Sequence, residues 1–242
     1  MYAIQTEGLT KRFADTLAVN GLDLTVQKGE LVSLLGVNGA GKTTTIKMLC
    51  GLLRPTAGDA WILGKSVCKE PAAVKRTIAV SPQETAVAPG LSVQENLELM
   101  CGVHGFPGGK RREKIAQLSK QLDLEGILRK KAGKLSGGQQ RRLSIAMALI
   151  SEPQVLFLDE PTLGLDVLAR SDLWDLIRSL KGNVTIILTT HYMEEAEALS
   201  DRVAIMKDGK LLLCETVAQI KERAGTEQFE QAFIRIVKGA QQ

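Results

Sequence analysis

The stretch Gly36-Val37-Asn38-Gly39-Ala40-Gly41-Lys42-Thr43 decides the fold of this chain. It fits G-x-x-x-x-G-K-[ST] at every fixed position, and it lies between an apolar run, Leu31–Leu35, and a predicted helix, Lys42–Leu52. Glycines let backbone N–H groups turn toward an anion, and the helix N-terminus adds a positive dipole end. The sequence therefore predicts a phosphate-binding loop, with Lys42 on the β- and γ-phosphates and the Thr43 hydroxyl on Mg²⁺. A glycine-rich structural turn, the alternative, does not account for the strand, the helix and the Lys-Thr pair together.

Two adjacent acids close a second buried run, Val155-Leu156-Phe157-Leu158-Asp159-Glu160. Successive side chains of a strand point to opposite faces, so we expect the two acids to have different roles. Asp159 is expected to hold Mg²⁺, usually through water, and Glu160 to accept a proton from an attacking water. Without a neighbouring motif, the pair would indicate only two acids at the solvated end of a strand. Beside a phosphate-binding loop, the metal-and-base interpretation is favoured.

The composition excludes several classes of protein. Of the 242 residues, 44% are hydrophobic and 24% charged, and the formal net charge of +4 is too mild to predict nucleic-acid binding. The longest stretch without Asp, Glu, Lys or Arg is Gly182–Met193, far short of the about 20 apolar residues that a membrane span needs. The start of the chain lacks the pattern of a secretory signal, and Cys50, Cys68, Cys101 and Cys214 form no C-x-x-C pair. We therefore expect a cytoplasmic globular protein with reduced cysteines.

The order of the predicted elements indicates an α/β fold with a mainly parallel sheet. An N-terminal antiparallel β subdomain is expected through Val26. Strands of the main sheet are predicted at Glu30–Leu35, Thr77–Ser81, Val155–Leu158 and Val184–Thr189, followed by a hairpin over Arg202–Cys214. Helices are predicted from the Ser92 capping box to Val103, near Lys110–Leu122 and over Gly137–Ser151, and they are expected to form an inserted α-helical subdomain.

These elements predict one domain over residues 1–225. Its nucleotide-binding core would comprise 1–83 and 153–215, and the helical insertion about 84–152. The remaining segment, 216–242, is expected to be a C-terminal helical appendage, since Thr216–Lys238 has an amphipathic, helical pattern.

A second anion-binding helix start is predicted at Leu135-Ser136-Gly137-Gly138-Gln139. Ser136 is a plausible N-cap, and the paired glycines leave backbone N–H groups open to close approach. This helix start has neither a Lys-Thr pair nor an adjacent metal-binding acid. One interpretation is that it completes a nucleotide site on another copy of the chain. An N-capped helix after a glycine turn is the common alternative.

The arrangement of motifs resembles a known family. Gly36–Thr44, Gln83, LSGGQ at 135–139, LFLDEP at 156–161, Gly164-Leu165-Asp166 and His191 stand in the order found in ATP-binding cassette (ABC) ATPases. The resemblance covers essentially the whole chain. It implies a P-loop NTPase (RecA-like) core with an inserted helical subdomain, and a sandwich dimer closed by two ATP molecules with Mg²⁺.

The resemblance also implies the nucleotide contacts. On the phosphate side they are Gly36, Asn38, Gly39, Ala40, Gly41, Lys42, Thr43 and Thr44. Phe13 resembles the aromatic residue that stacks on adenine, although it would also fit as a strand-end core residue. The resemblance also implies nucleotide contacts by Ser136, Gly137, Gly138 and Gln139. Of these, Ser136 and Gly138 would meet the γ-phosphate bound to the opposite subunit. Asp166 resembles the aspartate of the loop that joins the two sites, although Leu163-Gly164-Leu165 departs from the common Ser-Ala-Leu.

Gln83 and His191 join Glu160 in the catalytic set that the resemblance implies. Gln83 resembles the glutamine that contacts Mg²⁺ or the attacking water and links the site to a membrane partner; the alternative is a turn-forming Pro-Gln. His191 resembles the switch histidine that senses the γ-phosphate; the alternative is a helix-start residue. A zinc site over His191–Glu195 is disfavoured because a second histidine is absent nearby. The implied metal contacts are Thr43, Gln83 and Asp159.

The resemblance implies an ATPase subunit of a transporter, working at the cytoplasmic face of the cell membrane. Its partners would be a second copy (or a pseudo-dimer) and an integral membrane permease, with no nucleic acid. Thr43–Leu49, Gly164–Val167 and Tyr192–Glu197 look like the multidrug and antibiotic exporter branch, which favours export of drug, antibiotic or lipid-like cargo. A soluble ABC ATPase of translation or DNA repair is the alternative. A P-loop GTPase or small-molecule kinase leaves LSGGQ unexplained.

Overall fold

Two β-sheets and the helices around them make up the fold of residues 2–239, which the computed structural model describes. In chain order the elements are β1 (Tyr2–Phe13), β2 (Thr16–Leu22), β3 (Thr25–Gln27), β4 (Leu31–Leu35), α1 (Lys42–Leu49), β5 (Ala57–Ile62), β6 (Lys65–Ser66), α2 (Pro71–Lys75), β7 (Ile78–Ser81), α3 (Val93–Val103), α4 (Gly108–Gln121), α5 (Gly137–Leu149), β8 (Val155–Asp159), α6 (Val167–Leu180), β9 (Thr185–Thr190), α7 (Met193–Leu199), β10 (Arg202–Lys207), β11 (Lys210–Glu215), α8 (Val217–Ala224) and α9 (Phe229–Gly239). The predicted α/β class is confirmed.

The N-terminal sheet is antiparallel, as predicted. Its strands lie in the order β2-β1-β5-β6, and β3 also pairs with β1. The sequence pattern did not indicate β5, because its Ala57-Gly58-Asp59-Ala60 start is poor in the branched and aromatic residues that favour strands. Pairing with the long strand β1 therefore decides the conformation of this segment.

The main sheet has the order β11-β10-β4-β9-β8-β7, in which every neighbouring pair is parallel except the β10–β11 hairpin. Strands β4, β8 and β9 are buried along their whole length, as expected of strands covered on both faces. The predicted strands and hairpin are confirmed with shifts of one residue at some ends. Asp208 and Gly209 turn the hairpin with positive φ angles of 48° and 76°.

Three longer helices follow β7, as predicted: α3, α4 and α5. The Ser92 capping box is present, since Ser92 Oγ accepts from Glu95 N and the Glu95 side chain accepts from Ser92 N. Apolar side chains of all three helices share one core with the main sheet, among them Leu97, Leu118 and Leu143. The helix after the phosphate-binding loop is shorter than predicted: α1 ends at Leu49 rather than Leu52, because Gly51 adopts a left-handed φ of 63°.

The predicted C-terminal segment is mainly helical over 216–239, in two helices, α8 and α9, and its last residues, 240–242, lie outside the described part of the chain. Gly225, with φ of 63°, ends α8 in the left-handed conformation, and its carbonyl accepts from Arg235 Nη1 at 2.9 Å. Phe229 and Phe233 of α9 pack with Ile220 in a small core that also includes Val203 and Ile205 of β10, so both helices pack against the main sheet. Within residues 2–239, none of the helices has the length and apolar character needed to cross a membrane.

Asn96 on α3 fastens the segment that leads from β7 to the helices. Its side chain is fully buried; Oδ1 accepts from Ala88 N at 2.8 Å, and Nδ2 donates to Ala88 O at 3.2 Å and Ser92 O at 2.9 Å. Asn96→Ala should lower the free energy of unfolding by about 1–3 kcal/mol, because buried backbone groups lose their partner. Urea unfolding measures this. Gln94→Ala, on the exposed side of the same helix, should change it by less than about 0.5 kcal/mol; equal losses in both variants would contradict the role of Asn96.

Candidate functional site

The phosphate-binding loop is built by close packing that admits only glycine at two positions. A Cβ at Gly36 would lie 2.4 Å from the carbonyl oxygen of Met206, and one at Gly41 would lie 2.5 Å from that of Ala18. Gly41 also has a φ of 99°, a left-handed conformation, and directly precedes α1. The loop therefore joins β4 to the N-terminus of α1 without side chains in the way, as the motif predicts.

Lys42 is held against the loop that precedes it. Its side chain is buried, and Nζ donates to the carbonyl oxygens of Gly36 at 2.7 Å and Val37 at 3.2 Å. Burial lowers the pKa of Lys42, while the nearby carboxylates of Glu160 and Asp159 act in the opposite direction. The ammonium group thus lies at the loop itself, where an incoming phosphate would supply a stronger, charged acceptor than the two carbonyls.

Asp159 lies at the end of β8, where hydroxyl groups from two other elements meet its carboxylate. Oδ1 of Asp159 accepts from Thr189 Oγ1, and from Thr43 Oγ1 at 3.4 Å. Among the described residues no group of three or more His, Cys, Asp or Glu side chains could hold a metal ion alone. Mg²⁺ does not need such a group: it prefers oxygen ligands and keeps waters and substrate phosphates. The Thr43 hydroxyl and the Asp159 carboxylate fit that demand.

Glu160 points away from Asp159, into a cavity. Its backbone has a φ of 47°, uncommon for a residue with a side chain, and its N–H donates to the carbonyl and the hydroxyl of Thr189 at 3.1 and 3.0 Å. Oε1 of Glu160 lies 3.3 Å from Nδ1 of His191. Strain at one residue that neighbouring groups hold in place is typical of functional positions.

The cavity beside the loop has a volume of about 700 Å³. It is lined by Phe13, Ala18, Asn38, Gly39, Ala40, Gly41, Lys42, Thr43, Thr44, Gln83, Glu160, Leu163 and His191. The structure therefore brings together most of the predicted site residues, and Gly36 and Asp159 lie directly behind this lining. Phe13 is a half-exposed residue at the cavity wall rather than a core residue, and Lys11 Nζ lies 5.1 Å from its ring centre. A second cavity, of about 510 Å³, opens at the opposite edge of the sheet near Gln154 and Thr185.

The LSGGQ segment and Asp166 lie outside this cavity. Ser136 is exposed and caps α5, accepting from Gln139 N at 3.3 Å, and Cβ atoms at Gly137 and Gly138 would press on Leu165 and Ala169 at 3.3 and 3.1 Å. Asp166 caps α6 and accepts from Ala169 N at 2.9 Å. The two capped helix starts therefore support each other, and the single chain leaves them turned to solvent.

Two residues of this region were not found from the sequence. The hydroxyl of Thr189 donates to the carboxylate of Asp159 and accepts from the backbone N–H of Glu160. In the sequence, Thr189 lies within a run of apolar and β-branched residues, which predicts a strand and no functional role. Arg141 on α5 is buried, and its guanidinium donates to the carbonyl oxygens of Pro82 and Gln83, at 2.7 Å each. In the sequence, Arg141 and Arg142 look like an exposed basic pair, so no pattern distinguished the buried one.

Comparisons with known proteins agree with this geometry. Residues 19–163 match the family described as ABC transporter. The daunorubicin/doxorubicin resistance ATP-binding protein DrrA of Streptomyces peucetius is 42% identical over 93% of this chain and 68% of its own length.

Solved structures extend the similarity to the whole fold. CbiO1 of Clostridium perfringens, described as part of the ABC transporter complex CbiONQ, superposes with a TM-score of 0.82 at 26% identity, over 93% of this chain and 96% of that chain. The ATP-binding cassette MJ0796, a dimeric post-hydrolysis state bound to ADP and phosphate, has a TM-score of 0.78 at 28% identity, over 88% of this chain and 98% of that chain.

Gly36→Ala tests the packing of the loop. The added Cβ would lie 2.4 Å from a backbone oxygen that cannot move aside cheaply, so the free energy of unfolding should fall by about 1–3 kcal/mol. Chemical denaturation measures this. Gly102→Ala is the matched control, since a Cβ there meets nothing within 4 Å. If Gly36→Ala were as stable as the wild type, the close approach of Met206 would not constrain the loop.

Proposed function

Because the chain belongs to the ABC transporter family, we propose that it is the ATP-hydrolysing subunit of a transporter that exports drug, antibiotic or lipid-like cargo through a separate membrane permease. The family membership makes the chain an ATP-binding ATPase domain. The observation that carries the proposal is the cavity of about 700 Å³ in which the phosphate-binding loop faces Glu160 and His191. We propose the roles of the individual residues, the bound metal ion, the dimer, the permease partner and the cargo.

We propose that the loop binds the ATP phosphates through its backbone N–H groups and Lys42. On binding, the Lys42 ammonium would exchange the carbonyl oxygens of Gly36 and Val37 for phosphate oxygens, which are charged and hence stronger acceptors. The half-exposed ring of Phe13 stands at the cavity wall, where it would stack on adenine. Asn38, Gly39, Ala40 and Thr44 line the same cavity and would complete the phosphate contacts.

For Mg²⁺ we propose the Thr43 hydroxyl, the Asp159 carboxylate and the Gln83 side chain as the protein's contacts. A Mg²⁺ ion held by these groups would supply positive charge that stabilises the negative charge developing on the phosphate oxygens during hydrolysis. The hydroxyl of Thr189 donates to Asp159 Oδ1, so the carboxylate is oriented before any ligand arrives. Gln83, exposed at the cavity wall, is free to turn toward the metal or the water.

Glu160 is proposed as the base that takes a proton from the attacking water. Its backbone is fixed by Thr189, and its carboxylate is directed into the cavity beside His191. A base must lie within hydrogen-bond reach of the water that it activates, and a fixed backbone helps to maintain that geometry. His191 lies with Nδ1 3.3 Å from Glu160 Oε1, and its other ring nitrogen, Nε2, would donate to the γ-phosphate.

We further propose an ATP-closed dimer in which the 136–139 helix start of one chain covers the nucleotide of the other. Ser136 and Gly137 are exposed, and neither reaches the cavity of its own chain. The dimeric nucleotide-bound state described for MJ0796 supports this arrangement. Asp166, which caps α6 beside the two glycines, would link the two sites.

The export assignment and the membrane partner rest on relatives. The drug-resistance name of DrrA supports export, and the description of CbiO1 as part of a transporter complex supports a separate permease. We propose that the chain works at the cytoplasmic face of the cell membrane. The test is affinity purification from detergent-solubilised membranes: co-purification of an integral membrane protein is expected. Recovery with ribosomes or DNA-repair proteins instead would favour the soluble alternative.

Glu160→Gln should abolish turnover and leave ATP binding intact. Loss of a general base slows hydrolysis by about 10²–10⁴-fold, while the amide keeps the size of the side chain. Phosphate release measures turnover and nucleotide titration measures binding; ATP should also trap a dimer in gel filtration. Glu194→Gln, an exposed acid at the start of α7, should hydrolyse ATP at the wild-type rate. A Glu160→Gln variant with wild-type turnover would remove Glu160 as the principal base.

Ser136→Arg should prevent the ATP-trapped dimer without preventing ATP binding to one chain. The bulky cation would fill the space that the partner's γ-phosphate needs, and loss of the N-cap should lower the free energy of unfolding by only about 1 kcal/mol. Gel filtration of Ser136→Arg in the Glu160→Gln background tests this. Ala116→Arg, on the exposed face of α4, is the control and should still dimerise. A dimer that persists with Ser136→Arg would disprove the shared site.

A further inference from the structure

Arg141 is a buried cation that the proposed reaction does not use. Its side chain is on α5 and only 5% of the residue is exposed. Nη1 donates to Pro82 O and Nη2 to Gln83 O, each at 2.7 Å, and none of the ion pairs found within residues 2–239 includes it. Burial lowers the pKa of Arg141, against the fields of Asp159 and Glu195, yet a guanidinium stays charged. A full charge is therefore directed at two backbone carbonyls.

A second contact fastens the same segment to the same helix. The hydroxyls of Ser81 and Ser144 lie 3.0 Å apart. Residues 141 and 144 lie on one face of α5, because positions three apart on a helix are neighbours. The three residues that leave β7, Ser81, Pro82 and Gln83, are thus bound to one face of α5.

The two ends of this connection reach different nucleotide sites. Gln83 lines the cavity of its own chain, whereas α5 begins at Ser136, which is turned to solvent. Arg141 lies five positions after Ser136, which corresponds to a rise of about 7.5 Å along a stiff helix. A shift of the Pro82–Gln83 backbone must therefore move α5, and with it the helix start, or break the two charge-assisted hydrogen bonds from Arg141.

We propose that Arg141 is a positioning residue that couples Gln83, in the nucleotide cavity of one chain, to the Ser136 helix start that this chain presents to its partner. The proposal rests on the proposed function, since it requires hydrolysis at a shared site. Arginine suits this task because its planar fork serves two carbonyls at once, which a lysine ammonium does not. Without Arg141, Gln83 would lose its fixed position relative to Ser136.

The test is steady-state ATP hydrolysis by Arg141→Met, Gln83→Ala and the double variant. Arg141→Met should lower kcat about 10- to 100-fold, as misplacement of a catalytic contact does. The KM for ATP should change by less than about threefold, because the phosphate loop does not contact Arg141. The double variant should be no slower than the slower single variant, since both substitutions remove one function.

Arg142→Met is the matched control. Arg142 is the next residue on α5, but its guanidinium pairs with the exposed acids Asp123 and Asp172 at 2.7 and 3.1 Å. Its kcat should stay within about twofold of the wild type, as expected for an exposed ion pair. If Arg141→Met does not fold, Arg141→Lys replaces it; one ammonium serves one carbonyl, so kcat should fall between those of the wild type and Gln83→Ala.

The outcomes separate this proposal from the proposed function. If the wild type hydrolyses ATP and Glu160→Gln does not, the proposed function stands. Wild-type kcat in Arg141→Met, or in Arg141→Lys where that variant replaces it, would then overturn the coupling role. The coupling role would also be overturned if the fold-decrease in kcat of the double variant equalled the product of the two single decreases. If the wild type fails to hydrolyse ATP, the proposed function and the coupling role both fall.

Discussion

The parallel register of β4, β9 and β8 is the constraint on which the rest of the structure depends. Leu35 pairs with Thr190, and Thr189 with Asp159, so the phosphate-binding loop, His191 and the two acids leave the sheet at one edge. A slip of one residue would turn every side chain to the opposite face. Asp159 would then lose Thr189, and Glu160 would no longer face the cavity. Close packing on both faces of these three strands fixes the register, because a slip would exchange side chains of different size between two filled layers.

Much of this arrangement follows from the sequence. Apolar strands with no polar face specify a parallel sheet, and parallel strands place their carboxyl ends together, so the proximity of Lys42 and Asp159 could be predicted. The motif also required glycines, and the structure shows why at Gly36: Met206 of a distant strand occupies the space of a Cβ. That contact joins residues far apart in the chain, which is why the motif predicts the glycine but not its neighbour.

The sequence does not predict contacts made by residues whose type and position match no functional motif. Thr189 sits in a run of apolar and β-branched residues, and its hydroxyl matters only because the register places it against Asp159. Arg141 and Arg142 are adjacent and alike, yet the helix turns one toward Pro82 and Gln83 and the other toward surface acids. The break between α8 and α9 depends on Gly225, which a helical pattern over Thr216–Lys238 conceals. Roles implied by resemblance, such as those of Asp166 and Gln139, stay predictions.

The two interpretations of the Ser136 helix start, a structural cap and a phosphate contact, are compatible. A serine hydroxyl has one donor and two acceptor positions. The cap uses an acceptor, since Ser136 Oγ accepts from Gln139 N, and the Gln139 side chain accepts from Ser136 N in return. The hydroxyl proton of Ser136 and the N–H groups of Gly137 and Gly138 are left over, because the first turn of a helix has no internal acceptors for them. The cap therefore fixes the direction of donors that are not used in these cap contacts, and a phosphate bound to a second chain is the acceptor that we propose for them.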